Sequence, residues 1–217
     1  MKLLILRPEP GASATATKAR ALGLEPLVLP LFAVEAVAWA VPDLTRFDAL
    51  LLTSANAVRY GGNGLRVLAR LPVAAVGAAT AEAARDAGLN VRWVGEQGVT
   101  ALVEQLPPNL RLLHLAGKDR VAAGGAVVPV TVYRAAPLTV ALPRLDRQVI
   151  ALHSPRAARR LAELVAVSDR REARVAAISA TAAAAAGDGW REVAIATSPD
   201  DDCLLALAAS LCHNRNE

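Results

Sequence analysis

The sequence predicts an α/β fold: two similar doubly wound parallel-sheet domains of flavodoxin-like type, joined by a two-stranded linker with a cleft between them. Three observations carry this. Short apolar runs alternate with helical segments along the chain. One stretch of sequence recurs at an offset of 100 to 102 positions. The length, 217 residues, leaves room for two cores of ordinary domain size.

The elements follow in order. Lys2–Leu6 is a continuous apolar run, the mark of a strand buried on both faces. Pro8 to Gly11 is a turn, Ser13–Leu22 a helix closed by Gly23, and Glu25–Phe32 extended again, which makes a β-α-β unit. Ala33–Ala40 alternates briefly before Pro42-Asp43 breaks it. Asp48–Leu52 is a strand, and Ser54 or Asn56 can cap the helix behind it. Gly61-Gly62-Asn63-Gly64 interrupts that helix or ends it. Val73–Val76 is a strand, Ala79–Ala87 a helix stopped by Gly88, Val91–Val94 a strand, and Val99–Leu106 a helix stopped by Pro107-Pro108. Arg111–Leu115 is a strand, Gly117-Lys118-Asp119-Arg120 a turn, and Val127–Arg134 extended. Val149–Leu152 is a strand and Pro155–Val165 a helix with proline in its first turn. Val175–Ile178, Thr181–Ala186, Val193–Ala196 and Asp201–Leu211 complete the chain as strand, helix, strand, helix.

The repeat organises these elements. Ala49-Leu50-Leu51-Leu52-Thr53-Ser54 is echoed by Val149-Ile150-Ala151-Leu152-His153-Ser154, and Val73–Ala81 by Val175–Ala183. A unit this long means paired domains rather than a solenoid. The middle copy holds five strands' worth of sequence, while the last copy is short of strands. The first β-α-β unit resembles Arg111–Tyr133, so it joins the last copy. One discontinuous domain, 1–33 plus 138–217, then carries the other, 38–131, as an insertion, with 34–37 and 132–137 as linker strands. Two such crossings make a hinge, and cleft closure follows naturally from it.

Composition narrows the function. Hydrophobic residues make up 54% and aromatics 3%, so the cores are built of Leu, Val and Ala. A net charge of +4, scattered along the chain, suits an anionic small molecule and is no nucleic-acid footprint. Cys203 and Cys212 lack metal-ligand spacing and read as small buried hydrophobes in a reducing compartment. The first apolar run is too short for a signal core, and Leu27–Val41 is broken by Pro30 and Glu35, so the expectation is a soluble cytoplasmic protein with no membrane partner. Dinucleotide, Walker, zinc-protease and nucleophile-elbow motifs are all missing.

The chemistry points to the strand ends. Thr53-Ser54, Gly77 to Thr80, Ser154-Pro155 and Ser179 to Thr181 each stand where a parallel strand feeds a helix. Ligands bind at such ends, and the free N–H groups of a helix start suit carboxylate or phosphate. Each of these residues also reads as a plain helix cap. Tyr133 lies on the second linker strand, either packed or offering a phenol as hydrogen-bond donor or general acid. Arg7, directly after the first strand, is the leading basic candidate; Lys118 and Arg156 are weaker ones. His153 precedes the strand-end Ser154 and is a candidate to face the cleft, His114 reads as a core or rim residue, and His213 as part of a polar tail.

These residues carry a family resemblance. Arg7-Pro8, Leu52-Thr53-Ser54-x-x-Ala57-Val58, Val76-Gly77-x-x-Thr80-Ala81, Val130-Thr131-Val132-Tyr133-Arg134, Ser154-Pro155-x-x-Ala157 and Ile178-Ser179-x-Thr181-Ala182 occur in the order and spacing of uroporphyrinogen-III synthases. The similarity covers nearly the whole chain. It implies two α/β domains with the active site between them, and no cofactor and no metal. It implies a linear tetrapyrrole substrate, hydroxymethylbilane, whose eight carboxylates are gripped while water is lost, ring D is inverted and the macrocycle closes to uroporphyrinogen III. By position, Tyr133 would assist departure of the hydroxyl. Thr80, Ser154 and Thr181 would hold carboxylates, with Arg7, Thr53, Ser54, Gly77 and Ser179 beside them. The resemblance also implies a monomer in transient contact with the preceding pathway enzyme. Two departures stand out: Lys118–Ala126 is short where the family has a full helix, and Ser179 stands where glycine is more usual. The competing readings are a two-lobed cytoplasmic anion-binding or sensory module, and a two-domain sugar transferase.

Overall fold

The computed structural model describes residues 2–120, 122–124 and 126–213. Its elements run β1 (Lys2–Ile5), α1 (Gly11–Ala21), β2 (Glu25–Val28), β3 (Phe32–Ala36), β4 (Ala49–Leu52), α2 (Ala55–Tyr60), α3 (Gly64–Leu68), β5 (Val73–Val76), α4 (Ala78–Asp86), β6 (Val91–Gly95) and α5 (Val99–Gln105). They continue as β7 (Leu112–Gly117), β8 (Val127–Pro137), β9 (Val149–Leu152), α6 (Pro155–Leu164), β10 (Arg174–Ala177), α7 (Ala180–Ala186), β11 (Glu192–Ile195) and α8 (Asp201–His213). The chain divides into two compact units, one running to Ala33 and resuming at Pro137, the other spanning Val34–Ala136.

The first unit holds a parallel sheet in the order β11-β10-β9-β1-β2, and the second a sheet in the order β3-β8-β7-β4-β5-β6. By the sequence repeat, β4, β5 and β6 correspond to β9, β10 and β11, and β7-β8 to β1-β2. Substituting one set for the other turns β6-β5-β4-β7-β8 into β11-β10-β9-β1-β2. The two sheets therefore share one strand order and differ in where the chain enters it. The strand order reverses at β1/β9 in the first unit and at β4/β7 in the second, and such switch points open a crevice at the carboxyl ends. β3 runs antiparallel to β8, since Val37 N–H donates to Val132 O and Leu138 N–H to Leu31 O.

The central strands are buried because they are apolar at every position. Ala49–Leu52 and Val149–Leu152 have no exposed surface. Period-two alternation sends Leu50, Leu52, Leu113 and Leu115 to one face of the second sheet and Ala49, Leu51 and Leu112 to the other. The helices lie close on small residues: α1 buries Ala12, Ala16 and Ala19.

Several boundaries moved from the sequence expectation. α1 starts at Gly11, two residues early, with Pro10 as its cap residue. The glycine-rich stretch splits one expected helix into α2 and α3, and Trp39 fills the break, its indole N–H donating to Gly61 O at 3.1 Å. Among the described residues no helix joins β7 to β8. Ala123 and Val127 instead pack on the Ala49/Leu51 face. No described helix is long and apolar enough to cross a membrane.

Candidate functional site

The β4/β7 switch point of the second unit opens a cavity of about 290 Å³. Thr53 and Ser54 line it from the end of β4, Gly117 from the end of β7, Arg120 from the turn beyond, and Tyr133 from β8. Tyr133 arrives there through a β-bulge. The β7–β8 register pairs Ala116 with Thr131 but Gly117 with Tyr133, so Val132 is the extra residue. Val132 is buried in the core and the next side chain is re-aimed to the rim. The phenol ring rests on Gly117, where a Cβ would stand 2.8 Å from ring carbons Cε2 and Cζ. Lys118 closes the turn by donating its backbone N–H to Tyr133 O at 2.9 Å. The Tyr60 ring lies tilted beside Tyr133, centroids 6.3 Å apart.

Beneath the cavity, Thr53 Oγ1 and His114 Nε2 are 3.0 Å apart. Burial, and then the charge of Arg120, hold the imidazole down at about 4, so it is neutral at pH 7. Ser54 caps α2, its hydroxyl accepting from Asn56 N–H at 3.2 Å while keeping a proton to donate outward. One strand over, Gly77 caps α4 with φ +82°, a conformation that glycine takes freely. Its own N–H is spent on Gly95 O at 2.7 Å. The next amides of α4 are the first-turn donors, and Thr80 is buried among them.

The first unit presents the corresponding switch point at β1/β9. Arg7 follows β1, its guanidinium laid against Gly11 and its Nη1 donating to Thr15 Oγ1 at 3.1 Å and Asp201 Oδ1 at 3.3 Å. Thr15 donates to Asp201 in turn, at 2.9 Å. His153 Nε2 stands 2.9 Å from the same carboxylate oxygen. That partner assigns the ring proton to Nε2. Burial and the charge of Arg7 lower the His153 pKa, and Asp201 works against them. Ser154 caps α6 and Ser179 caps α7, accepting from Ala157 and Ala182 N–H. The Ser179 and Thr181 hydroxyls are 3.0 Å apart.

The structure thus gathers Tyr133, Thr53 and Ser54 at one cavity. Arg7 and Ser154 stand at the other switch point, and Gly77, Thr80, Ser179 and Thr181 at neighbouring strand ends. Arg156 packs its guanidinium over the Phe32 ring, 4.6 Å from the centroid. Three participants had no role in the sequence reading: Asp201, His114 as the partner of Thr53, and Arg120. A larger cavity of about 550 Å³, lined by Leu142, Asp146, Leu164 and Glu172, lies beside the amino end of β9, away from the crevice such sheets use.

A family model described as uroporphyrinogen-III synthase HemD matches residues 13–206. The chain belongs to this family. Uroporphyrinogen-III synthases are cyclising lyases of tetrapyrrole synthesis that act on a small tetrapyrrole. Comparison with curated protein sequences finds no match. Among solved structures, the uroporphyrinogen-III synthetase of Helicobacter pylori is similar at 20% identity and TM-score 0.66, over 97% of this chain and 100% of that one. A mutant uroporphyrinogen III synthase of Thermus thermophilus is similar at 18% identity and TM-score 0.54, over 97% and 99%. At these identities the structures speak for the shared two-domain α/β fold.

Proposed function

We propose that this synthase closes hydroxymethylbilane to uroporphyrinogen III without a cofactor, with Tyr133 as the acid that assists the leaving hydroxyl. The observation that carries the reading is the placement of the Tyr133 phenol, held by a β-bulge and by Gly117 at the rim of a switch-point cavity. The phenol donates its proton as the C–O bond breaks and water leaves. The electron-rich pyrrole stabilises the cation that remains. Ring D attacks through its substituted carbon to give a spiro intermediate, which reopens and closes in the inverted sense. The proton finally lost from ring D restores the phenol. A hydroxymethylpyrrole ionises readily, so most of the catalytic task is orientation. The capping hydroxyls of Ser54, Ser154 and Ser179, with Thr53, Gly77, Thr80 and Thr181, sit at helix starts that suit the substrate's carboxylates.

The same reading makes the protein a cytoplasmic monomer in brief contact with the enzyme that supplies its substrate, because the free bilane closes spontaneously to isomer I. The test is to supply hydroxymethylbilane, oxidise the product and resolve isomers I and III. Enrichment of isomer III is expected; the spontaneous isomer ratio would overturn the proposal.

A further inference from the structure

We propose that Arg120 is the cation that seats a substrate carboxylate at the Tyr133 cavity; this rests on the synthase reading above and deepens it. The shared strand order of the two sheets makes the turn after β7 the counterpart of the turn after β1. Each turn brings one guanidinium to a switch point, Arg120 in the second unit and Arg7 in the first.

The two differ in charge balance. Arg7 donates to the Asp201 carboxylate, so its charge is met within its own unit. Arg120 donates through Nη1 to Gly117 O at 3.4 Å and Thr131 Oγ1 at 3.2 Å, both neutral acceptors. Among the described residues Arg120 forms no ion pair. Asp119, which also lines the cavity, is engaged in an interaction of its own.

The geometry suits a carboxylate. Gly117 and Thr131 tether one nitrogen, which leaves Nε and Nη2 of the planar fork for a bidentate acceptor. Thr53 and Ser54 supply hydroxyls on the same cavity. Burial, and after it the positive charge of Arg120, lowers the pKa of His114 below the cavity. A space of about 290 Å³ is suited to the acid arms of one pyrrole rather than a whole tetrapyrrole. Gripping one arm beside the phenol would set which ring meets the acid, and so contribute orientation.

The test uses Arg120→Ala, Arg120→Gln and Arg120→Lys in the full chain. Kd for uroporphyrin, with eight carboxylates, is read by fluorescence beside KM and kcat for hydroxymethylbilane. Arg120→Ala and Arg120→Gln are expected to raise KM and Kd about tenfold, with a smaller change in kcat and an unchanged melting temperature. Arg120→Lys should recover only part of this, since an ammonium lacks the fork. The Gln variant decides the matter if Ala fails to fold. KM and Kd within twofold of wild type would overturn the Arg120 assignment alone, with isomer III still formed. Wild-type protein that fails to enrich isomer III, yet loses porphyrin affinity with Arg120, would overturn the synthase reading and leave the carboxylate seat standing.

Discussion

The Tyr133 ring lies against the backbone of Gly117, closer than any side chain at 117 would allow. A Cβ there would meet Cε2 and Cζ at 2.8 Å and Oη at 3.0 Å. Gly117→Ala must therefore push the phenol off its seat. Overpacking of this kind costs about 1–3 kcal/mol. The expected result is a folded protein whose kcat for isomer III falls at least as far as its stability suggests, measured by the isomer assay beside thermal melting. Unchanged kcat would mean that the phenol works from elsewhere.

Tyr133→Phe removes the proton donor and leaves the ring on Gly117 and beside Tyr60. A single general acid contributes about 10²–10⁴-fold. Because a hydroxymethylpyrrole ionises with little help, the expected loss in kcat is near the low end, about 10²-fold, with KM and melting temperature nearly unchanged. Stopped-flow turnover under substrate excess reads this directly. Wild-type turnover in the variant would remove the phenol from the mechanism.

The two sheets were legible because their strands are apolar at consecutive positions, as in Ala49–Leu52 and Val149–Leu152, a pattern that only two-sided burial explains. The repeat located the switch-point turns, and with them Thr53, Ser54 and Ser154. The bulge that turns Tyr133 toward Gly117 was not legible, because a register shift depends on a partner strand rather than on local sequence. Nor was the Arg7–Asp201 pair, whose members stand 194 residues apart. Arg120 sits in a turn whose composition reads only as solvated; its significance comes from the neutral acceptors that the fold sets around it.

Acid should weaken the protein through His114 before it weakens it through carboxylates. The folded pKa, about 4, lies below the ordinary 6.5 because the ring is buried. Between those values the unfolded chain binds a proton that the folded chain refuses, so stability is full above 6.5 and falls as pH drops toward 4, by at most about 3 kcal/mol. His153 is shifted in the same direction and adds to the same slope. Asp48 enters later: hydrogen bonds from Arg111 hold it at about 2, so its contribution is lost only as pH falls from 3.8 toward that value. Urea titrations at a series of pH values should show this order. His114→Gln can keep a bond to Thr53 without titrating, and should flatten the slope between pH 6.5 and 4; an unchanged slope would remove His114 as its source.

Asp201 holds the other switch point together, and its substitution separates charge from shape. One carboxylate receives Arg7, Thr15 and His153, joining the ends of β1 and β9 to α1 and α8. Asp201→Asn keeps the volume but offers an amide where three donors converge. Loss of charge-assisted bonds at a partly buried site costs about 2 kcal/mol. The carboxylate is also what raises the His153 pKa against burial and Arg7. Its removal should lower that pKa further, so the imidazole resonance followed by NMR should titrate at lower pH in the variant than in wild type. A midpoint that stayed or rose would show that Asp201 is not the group balancing burial and Arg7 at His153.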